Sequence, residues 1–134
     1  MAYTRLRYHI VTATKYRKPL LTSEVENVAY AVLRKEAERI GAQISHIGGV
    51  EDHIHIIAAI PPTLAVSHFV GRIKLKCTKA IRHQFAHLES FAWQVSYGAF
   101  TLNPADMKGV IQYVLNQKEH HINNELREPF ERLK

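Results

Sequence analysis

Two histidines stand two residues apart near the middle of the chain, where they could hold a metal ion. His53 and His55 begin an apolar, β-branched segment that predicts a β-strand over residues 53–60. Because side chains alternate across a strand, both rings lie on one face, roughly 6.5–7 Å apart along it, and can converge on one ion. On this spacing alone, two ordinary polar residues on a half-exposed strand are the commoner explanation.

A tyrosine and an amide stand one helical turn apart towards the end of the chain. The Asn-Pro-Ala-Asp segment that precedes them is typical of a helix start and predicts one helix over residues 103–126. Tyr113 and Gln117 share a face of that helix and bring together a potential nucleophile and a potential oxygen ligand. Taken alone, half-buried packing for Tyr113 and a surface position for Gln117 are simpler. Gly109 is either a hinge or a point of close packing.

A basic loop is predicted at residues 15–19, directly after the first strand. It carries Lys15, Arg17 and Lys18 around the aromatic ring of Tyr16. Such a loop can contact phosphates while the ring stacks on a base, although a solvated turn has the same composition.

A second basic segment is the helix predicted over residues 64–85. Its candidate nucleic-acid contacts are Arg72, Lys74, Lys76, Lys79 and Arg82. Three of these cations and His83 recur at helical spacing and form one ridge. No acidic residue lies between residues 64 and 88, so the positive potential is not compensated locally. This favours contact with nucleic acid over a simple solvated face.

Composition limits the class of protein. The chain has 134 residues, 46% of them apolar, which suffices for one core without disulfides. Cys77 stands alone, and no apolar run reaches the length of about 20 residues needed to span a bilayer. We therefore expect a cytoplasmic protein with no membrane span. The net charge of +6 favours a polyanionic partner.

The order of the predicted elements indicates an α+β fold. The strands are expected at residues 5–14, 42–47, 53–60 and 91–102, and the helices at 22–40 and 64–85. This order is that of the ferredoxin-like split βαβ arrangement, an antiparallel sheet with both helices on one face, here followed by an extra C-terminal helix carrying the tyrosine. Both histidines should then point to the opposite, accessible face, which only the last helix could cover. Within the first helix, Glu36 is expected to face water.

The combined motifs resemble those of a known family. The His-Ile-His motif at 53–55, directly after Glu-Asp, and the Tyr-Val-Leu-Asn-Gln motif at 113–117 look like those of the single-tyrosine HUH transposases of the IS200/IS605 type. The basic segment at 14–19 and the strand around residues 93–97 also resemble that family. The resemblance covers essentially the whole chain.

The resemblance implies an enzyme that cleaves and rejoins single-stranded DNA at the ends of a mobile element. Tyr113 would become attached to the 5′ phosphate, and His53, His55 and Gln117 would bind Mg²⁺ or Mn²⁺. Residues 1–134 would form one domain, with a core at 1–102 and the tyrosine helix at 103–126. A homodimer is implied, in which one subunit's tyrosine helix can complete the other's site, together with a DNA hairpin as partner.

Other functions stay open beside this interpretation. A descendant of the family could bind hairpins without cleaving them, although the four candidate site residues are all present. A phosphoesterase with two His-x-Thr/Ser motifs is disfavoured, because isoleucines follow His55 and no second motif occurs. Relaxases and replication initiators share the implied chemistry but are usually longer.

Overall fold

The computed structural model of the protein describes residues 3–122 and the side chains of residues 3–119. The elements are β1 (Arg7–Ala13), α1 (Ser23–Arg39), β2 (Gln43–Val50), β3 (His53–Ala59), α2 (Val66–Gln84), β4 (Gly98–Leu102), α3 (Met107–Leu115) and α4 (Gln117–Ile122). The four strands form one antiparallel sheet in the order β2-β3-β1-β4. The predicted α+β fold is therefore confirmed.

The two faces of the sheet pack against different helices. On one face, Ile10, Ile54 and Ile56 join the main core, to which α1 and α2 contribute their apolar sides. On the other face, Ile57 packs with Val110 and Val114 of α3. Both faces of β3 are thus buried, which its β-branched sequence suits. No helix within residues 3–122 is long and apolar enough to cross a bilayer.

β2 and β3 form the predicted hairpin, but β2 extends further than the strand predicted over residues 42–47. β2 continues to Val50 because Gly48 and Gly49 both pair with β3. The turn is therefore confined to Glu51 and Asp52. This tight turn places the Asp52 carboxylate directly before the first histidine of β3.

The strand predicted over residues 91–102 is wrong in its first half. β4 begins only at Gly98, where its pairing with β1 ends opposite Val11. The chain bends before this point. Trp93 forms an isolated bridge with Thr14, the residue after β1, and the backbone amide of Gln94 donates to the carbonyl of Ala13 at 2.9 Å. Gly98 is therefore the first residue of β4.

The single helix predicted over residues 103–126 is also wrong. Asn103 accepts a hydrogen bond from the backbone of Asp106 at 3.0 Å, but this closes a turn, and α3 begins four residues later. The chain leaves helical geometry at Asn116, with φ −100° and ψ 27°, before α4 begins. At the break, the side-chain amide of Gln117 donates to the carbonyl of Tyr113 at 3.0 Å and competes with the regular backbone pattern. Residues 123–126 lie outside the described residues.

Glu36 is buried, which contradicts its predicted exposure. Only 4% of the residue is accessible. Its carboxylate accepts two hydrogen bonds from Arg39, at 2.6 and 2.7 Å, and one from Arg72 of α2 at 3.3 Å. These bonds, above all those of Arg39, lower the carboxyl pKa from 4.5 to about 2. A buried carboxylate needs such partners, and here it ties α1 to α2.

Candidate active site

The structure places the predicted histidine pair at the start of β3, under α3. His53 and His55 are both 0% exposed, and their ring centroids lie 5.2 Å apart at an interplanar angle of 67°. They lie on the face opposite α1 and α2, as predicted. Because α3 covers that face, the expected open site is buried.

Tyr113 reaches the histidine pair from α3. Its ring meets that of His55 edge to face, with centroids 5.7 Å apart and an interplanar angle of 87°. The tyrosine is 1% exposed, so half-buried packing underestimates its burial. Residues far apart in the sequence thus come together in one site.

Gly48 of β2 allows α3 to approach the sheet closely. A Cβ atom at Gly48 would lie 1.7 Å from the carbonyl oxygen of Val114, a distance that no side chain tolerates. This role of Gly48 was missed, since the sequence indicates only a glycine near a turn. Gly109 differs: no described atom lies within 4 Å of a Cβ built there, so close packing does not explain it. The hinge at Gly109 stays a prediction.

Gln117 is buried at the beginning of α4, one turn from Tyr113. It is 1% exposed, so the alternative in which it is a surface residue is wrong. Its amide nitrogen donates to the carbonyl of Tyr113. Its amide oxygen is buried and accepts no hydrogen bond from the part of the chain that the structure describes. A buried oxygen of this kind is suited to coordinate a cation.

The Asp52 carboxylate orients His53. Nδ1 of His53 lies 2.7 Å from Oδ1 of Asp52, and because a carboxylate only accepts, Nδ1 carries the proton and donates. Arg17 approaches the same pair, with Nη2 3.2 Å from Nδ1 of His53 and Nε 3.5 Å from Oδ2 of Asp52. Arg17 thus lies at the edge of the site, which its prediction as a loop cation did not include.

His9 of β1 is a further residue of the site that the sequence did not indicate. Its Nε2 lies 2.8 Å from Nδ1 of His55, and the two rings stack with centroids 5.1 Å apart. Both residues are completely buried. Only the register of β1 against β3 brings them together, and no single-strand pattern contains that information.

The residues present fit a site for a hard or borderline divalent cation. Nδ1 is engaged in both His53 and His55, so each ring would coordinate through Nε2. With the amide oxygen of Gln117, the donor set is two nitrogens and one oxygen, which suits Mn²⁺ or Mg²⁺ with positions left for substrate, although the imidazoles alone would also accept Zn²⁺. Among residues 3–122, no group of three or more His, Cys, Asp or Glu side chains is arranged to bind a metal. The set therefore depends on the amide.

The basic loop forms a tight turn beside the site. Tyr16 and Arg17 have φ values of 60° and 52°, a left-handed conformation that is uncommon for such residues. Thr14 supports the turn by donating from Oγ1 to the carbonyl of Lys18 at 2.7 Å. The ring of Tyr16 is 79% exposed, and Lys15, Tyr16 and Lys18 line one side of a cleft of about 360 Å³. Strained backbone held in this way is frequent at functional sites.

The cations of α2 divide into two groups. Three of them have partners within the protein: Arg72 forms an ion pair with Glu36, and Lys74 and Arg82 donate to backbone carbonyls of residues 91–94. Burial lowers the pKa of Lys74 to about 8. Lys76 and Lys79 are exposed and take part in no ion pair within the described residues. The expectation of an uncompensated ridge is thus wrong at Arg72, because Glu36 of α1 supplies the counter-charge.

Comparison with known sequences identifies a family and several similar proteins. The family described as IS200-like transposases matches residues 2–117. The transposase of insertion sequence IS200 from Salmonella typhimurium is 36% identical over 91 residues, which are 66% of this chain and 60% of that protein. The chain thus spans 60% of the length of these IS200 relatives. The ISDra2 transposase TnpA of Deinococcus radiodurans is 23% identical over 120 residues, 86% of each chain.

Solved structures share the fold. A candidate transposase from Deinococcus radiodurans R1 superimposes with a TM-score of 0.72 and 26% identity, over 87% of this chain and 93% of that one. A REP-associated tyrosine transposase bound to a REP hairpin gives a TM-score of 0.68 at 18% identity, over 90% of this chain and 72% of that one. The second likeness supports the fold alone.

Proposed function

The chain belongs to the family of IS200-like transposases, and on this basis we propose that it cleaves and rejoins single-stranded DNA at the ends of a mobile element. The observation that carries the proposal is the contact between the rings of Tyr113 and His55. It joins a potential nucleophile to a pair of potential metal ligands. In this proposal residues 1–134 form one HUH domain.

Tyr113 is the proposed nucleophile. Its phenolate oxygen attacks the phosphorus of one phosphodiester, the bond from phosphorus to the 3′ oxygen breaks, and the 3′ oxygen leaves and takes up a proton. The product is an ester between tyrosine and the 5′ phosphate, which keeps the energy of the broken bond. A 3′ hydroxyl of another strand can therefore reverse the reaction without ATP.

His53, His55 and Gln117 are the proposed ligands of Mg²⁺ or Mn²⁺. A cation bound there would orient the scissile phosphate and offset the negative charge that develops on it. The chain's own contribution is to fix the ligands: Asp52 holds His53, and the buried helix turn holds Gln117 beside Tyr113. The burial of all three ligands excludes bulk water from the site.

We propose that the basic loop and the exposed cations of α2 bind the DNA backbone. Lys15, Arg17 and Lys18 lie next to the site, because Arg17 itself contacts Asp52 and His53. The exposed ring of Tyr16 can stack on an unpaired base. Of the α2 cations, Lys76 and Lys79 are the proposed contacts, whereas Arg72, Lys74 and Arg82 serve the fold first.

A DNA strand can reach Tyr113 only if the helices over the site move. The tyrosine and both histidines are buried under α3. Lys118 of α4 fastens the end of this helical segment to the fold, through an ion pair with Glu26 at 2.9 Å and a hydrogen bond to the carbonyl of Gly49 at 3.0 Å. We also propose a homodimer in which one subunit's tyrosine helix serves the other's site, an arrangement that requires the helix to leave its place over its own histidines. A hairpin is the proposed partner, since one structure of the same fold was solved bound to a hairpin.

The test is the formation of a covalent protein–DNA adduct. The protein is incubated with Mg²⁺ or Mn²⁺ and single-stranded oligonucleotides that match the DNA flanking its gene, and then denatured. We expect an adduct that needs the metal and disappears in Tyr113→Phe, which keeps the ring against His55 but lacks the nucleophile. Tyr8→Phe, a change in a half-buried strand residue packed on the main core, is the matched control and should keep the adduct.

Two outcomes would contradict the proposal. Adduct formation by Tyr113→Phe would show that another residue is the nucleophile. Tight binding of hairpins with no adduct in either metal would favour the alternative, a descendant that binds DNA hairpins without cleaving them.

A further inference from the structure

We propose that His9 is a positioning residue, whose Nε2 accepts a hydrogen bond from Nδ1 of His55 and thereby fixes the nitrogen that His55 presents to the metal. The inference rests on the proposed function of His55. It is carried by the distance of 2.8 Å between these two nitrogen atoms in the closed interior of the site.

The sheet fixes the position of His9. In the pairing of β1 with β3, His9 stands opposite Ile57, so His55 is its diagonal neighbour on the same face. The rings of His9 and His55 stack at 24°, and the ring of Phe100 on β4 lies 5.8 Å from His9 on the other side. Three adjacent strands therefore hold the His9 ring in place.

The chemistry of imidazole determines the direction of the hydrogen bond. A neutral ring has one protonated and one unprotonated nitrogen, and only the unprotonated nitrogen can bind a metal. If His55 coordinates through Nε2, its proton must lie on Nδ1 and needs an acceptor. Nε2 of His9 is in position to be that acceptor, so His9 carries its own proton on Nδ1.

The two proposed histidine ligands thus have different acceptors. His53 donates to the carboxylate of Asp52, and His55 donates to the neutral ring of His9. A neutral acceptor orients the ligand without adding a negative charge to a site that must bind a phosphate. Partners of this kind typically change metal affinity 10–100-fold when they are removed.

The alternative is that His9 is itself a third nitrogen ligand. Its Nε2 faces the Nδ1 atom of His55, not the Nε2 atom through which that ring would coordinate. Moreover, no set of three His, Cys, Asp or Glu side chains in the described residues is arranged for coordination. The geometry therefore favours positioning over coordination.

Two substitutions separate the role of His9 as a hydrogen-bond acceptor from the shape of its ring. His9→Phe keeps an aromatic ring for stacking but removes the acceptor, and His9→Gln restores an acceptor without the ring. For each protein we would measure the tautomer of His55 by nitrogen-15 NMR without metal, and the affinity for Mn²⁺ by titration calorimetry. Neither measurement requires DNA or an adduct, and thermal unfolding identifies any variant that fails to fold.

We expect His55 to be protonated on Nδ1 in the wild-type protein and in His9→Gln, and to lose this preference in His9→Phe. The affinity for Mn²⁺ should fall about 10–100-fold in His9→Phe and recover at least in part in His9→Gln. An unchanged tautomer and unchanged affinity in a folded His9→Phe would overturn the proposal. Equal losses of Mn²⁺ affinity in both variants would also overturn it, because they would indicate that His9 itself coordinates the metal or that only the shape of its ring matters.

The proposed function can fail separately. If the wild-type protein binds no Mn²⁺, the metal site is wrong, but the His55 tautomer in the metal-free protein still decides whether His9 is its acceptor.

Discussion

Asp52 shows how one side chain prepares another for coordination. Burial acts to raise the pKa of Asp52, but the hydrogen bond from His53 and the positive charge of Arg17 are among the effects that lower it. Asp52 is therefore a carboxylate that accepts the Nδ1 proton, and Nε2 of His53 is left to coordinate. The turn of the hairpin delivers this acceptor.

Replacing the Asp52 carboxylate should weaken metal binding, and Asp52→Ala should weaken it more than Asp52→Asn. We expect Asp52→Ala to lower the affinity for Mn²⁺ about 10–100-fold, because the carboxylate that accepts the Nδ1 proton of His53 is then lost. Asp52→Asn should lie between this variant and the wild type, since its amide oxygen still accepts but carries no charge. Calorimetric titration with Mn²⁺ measures all three proteins.

Glu51→Ala is the matched control for Asp52→Ala, because Glu51 is the exposed neighbour in the same turn. It should bind Mn²⁺ as the wild type does. Equal losses in Glu51→Ala and Asp52→Ala would mean that the charge of the turn, rather than the bond to His53, supports the metal.

At the scale of single residues, the sequence predicted the parts of the site that follow a local rule. The spacing of His53 and His55 and of Tyr113 and Gln117 follows from strand and helix periodicity, and their combination carries the family resemblance. His9 could not be predicted in this way, because its role depends on the pairing of two strands.

At the scale of elements, the position of α3 depends on how closely it approaches β2. The carbonyl of Val114 occupies the space where Gly48 would carry a Cβ atom. Because α3 also carries Tyr113, any shift of the helix moves the proposed nucleophile relative to His55. The contact between Gly48 and Val114 therefore sets the geometry of the site.

Gly48→Ala should displace α3 and expose Tyr113. The added methyl group meets backbone rather than a flexible side chain, so we expect a loss of about 1–3 kcal/mol in the free energy of unfolding. Faster hydrogen exchange at residues 107–115 and slower adduct formation should accompany it. Denaturant unfolding and amide exchange measure these effects.

Gly71→Ala provides the comparison for Gly48→Ala. Gly71 lies in α2, and a Cβ atom there would meet no described atom within 4 Å. This variant should be as stable as the wild type or up to about 1 kcal/mol more stable, because alanine favours helix. Unchanged exchange in α3 of Gly48→Ala would refute the close approach.

The ion pair between α1 and α2 predicts how stability depends on pH. Since folding lowers the pKa of Glu36 from 4.5 to about 2, its contribution to stability is complete above pH 4.5 and is lost as the pH falls towards 2. We expect Glu36→Gln to cost about 1–3 kcal/mol at pH 7, a difference that shrinks below pH 4.5. Urea unfolding at several pH values measures it, and Glu38→Gln, an exposed residue of the same helix, is the control. A difference that is constant down to pH 2.5 would contradict this assignment.

The element order was predictable because each element has a strong local signal, whereas element ends were not. β4 was predicted to begin too early, since its pairing with β1 determines where it begins. The break in the last helix was missed, since it involves the side-chain bond of Gln117 to Tyr113 rather than a helix-breaking residue. Glu36 was misplaced for a related reason: its partner Arg72 lies on another helix, which a helical pattern within α1 cannot indicate.

For the whole molecule, the division of the sheet into two faces separates stability from chemistry. The face under α1 and α2 holds the main core, and the face under α3 holds the histidines and Tyr113. The net charge of +6 indicated a polyanionic partner, but it did not indicate which Lys and Arg side chains would contact that partner. Cations that already form ion pairs or hydrogen bonds within the protein are less available for contact with phosphate than cations that do not.

The salt dependence of DNA binding should therefore reveal which cations contact phosphate. For single-stranded DNA, each phosphate contact contributes about 0.7 to the slope of log affinity against log salt concentration. Replacing Lys76 and Lys79 by Gln should lower the slope by about 1.4, because both are exposed and make no ion pair within residues 3–119. Fluorescence anisotropy with a labelled oligonucleotide at several salt concentrations measures it.

Arg34 and Lys35 give the matched control, because both are exposed cations of α1 and their replacement by Gln removes the same total charge. If only the net charge matters, both double variants will lower the affinity equally and neither will change the slope much. If Lys76 and Lys79 contact phosphate, only their replacement will reduce the slope. The two slopes therefore distinguish a binding surface on α2 from general attraction by a basic protein.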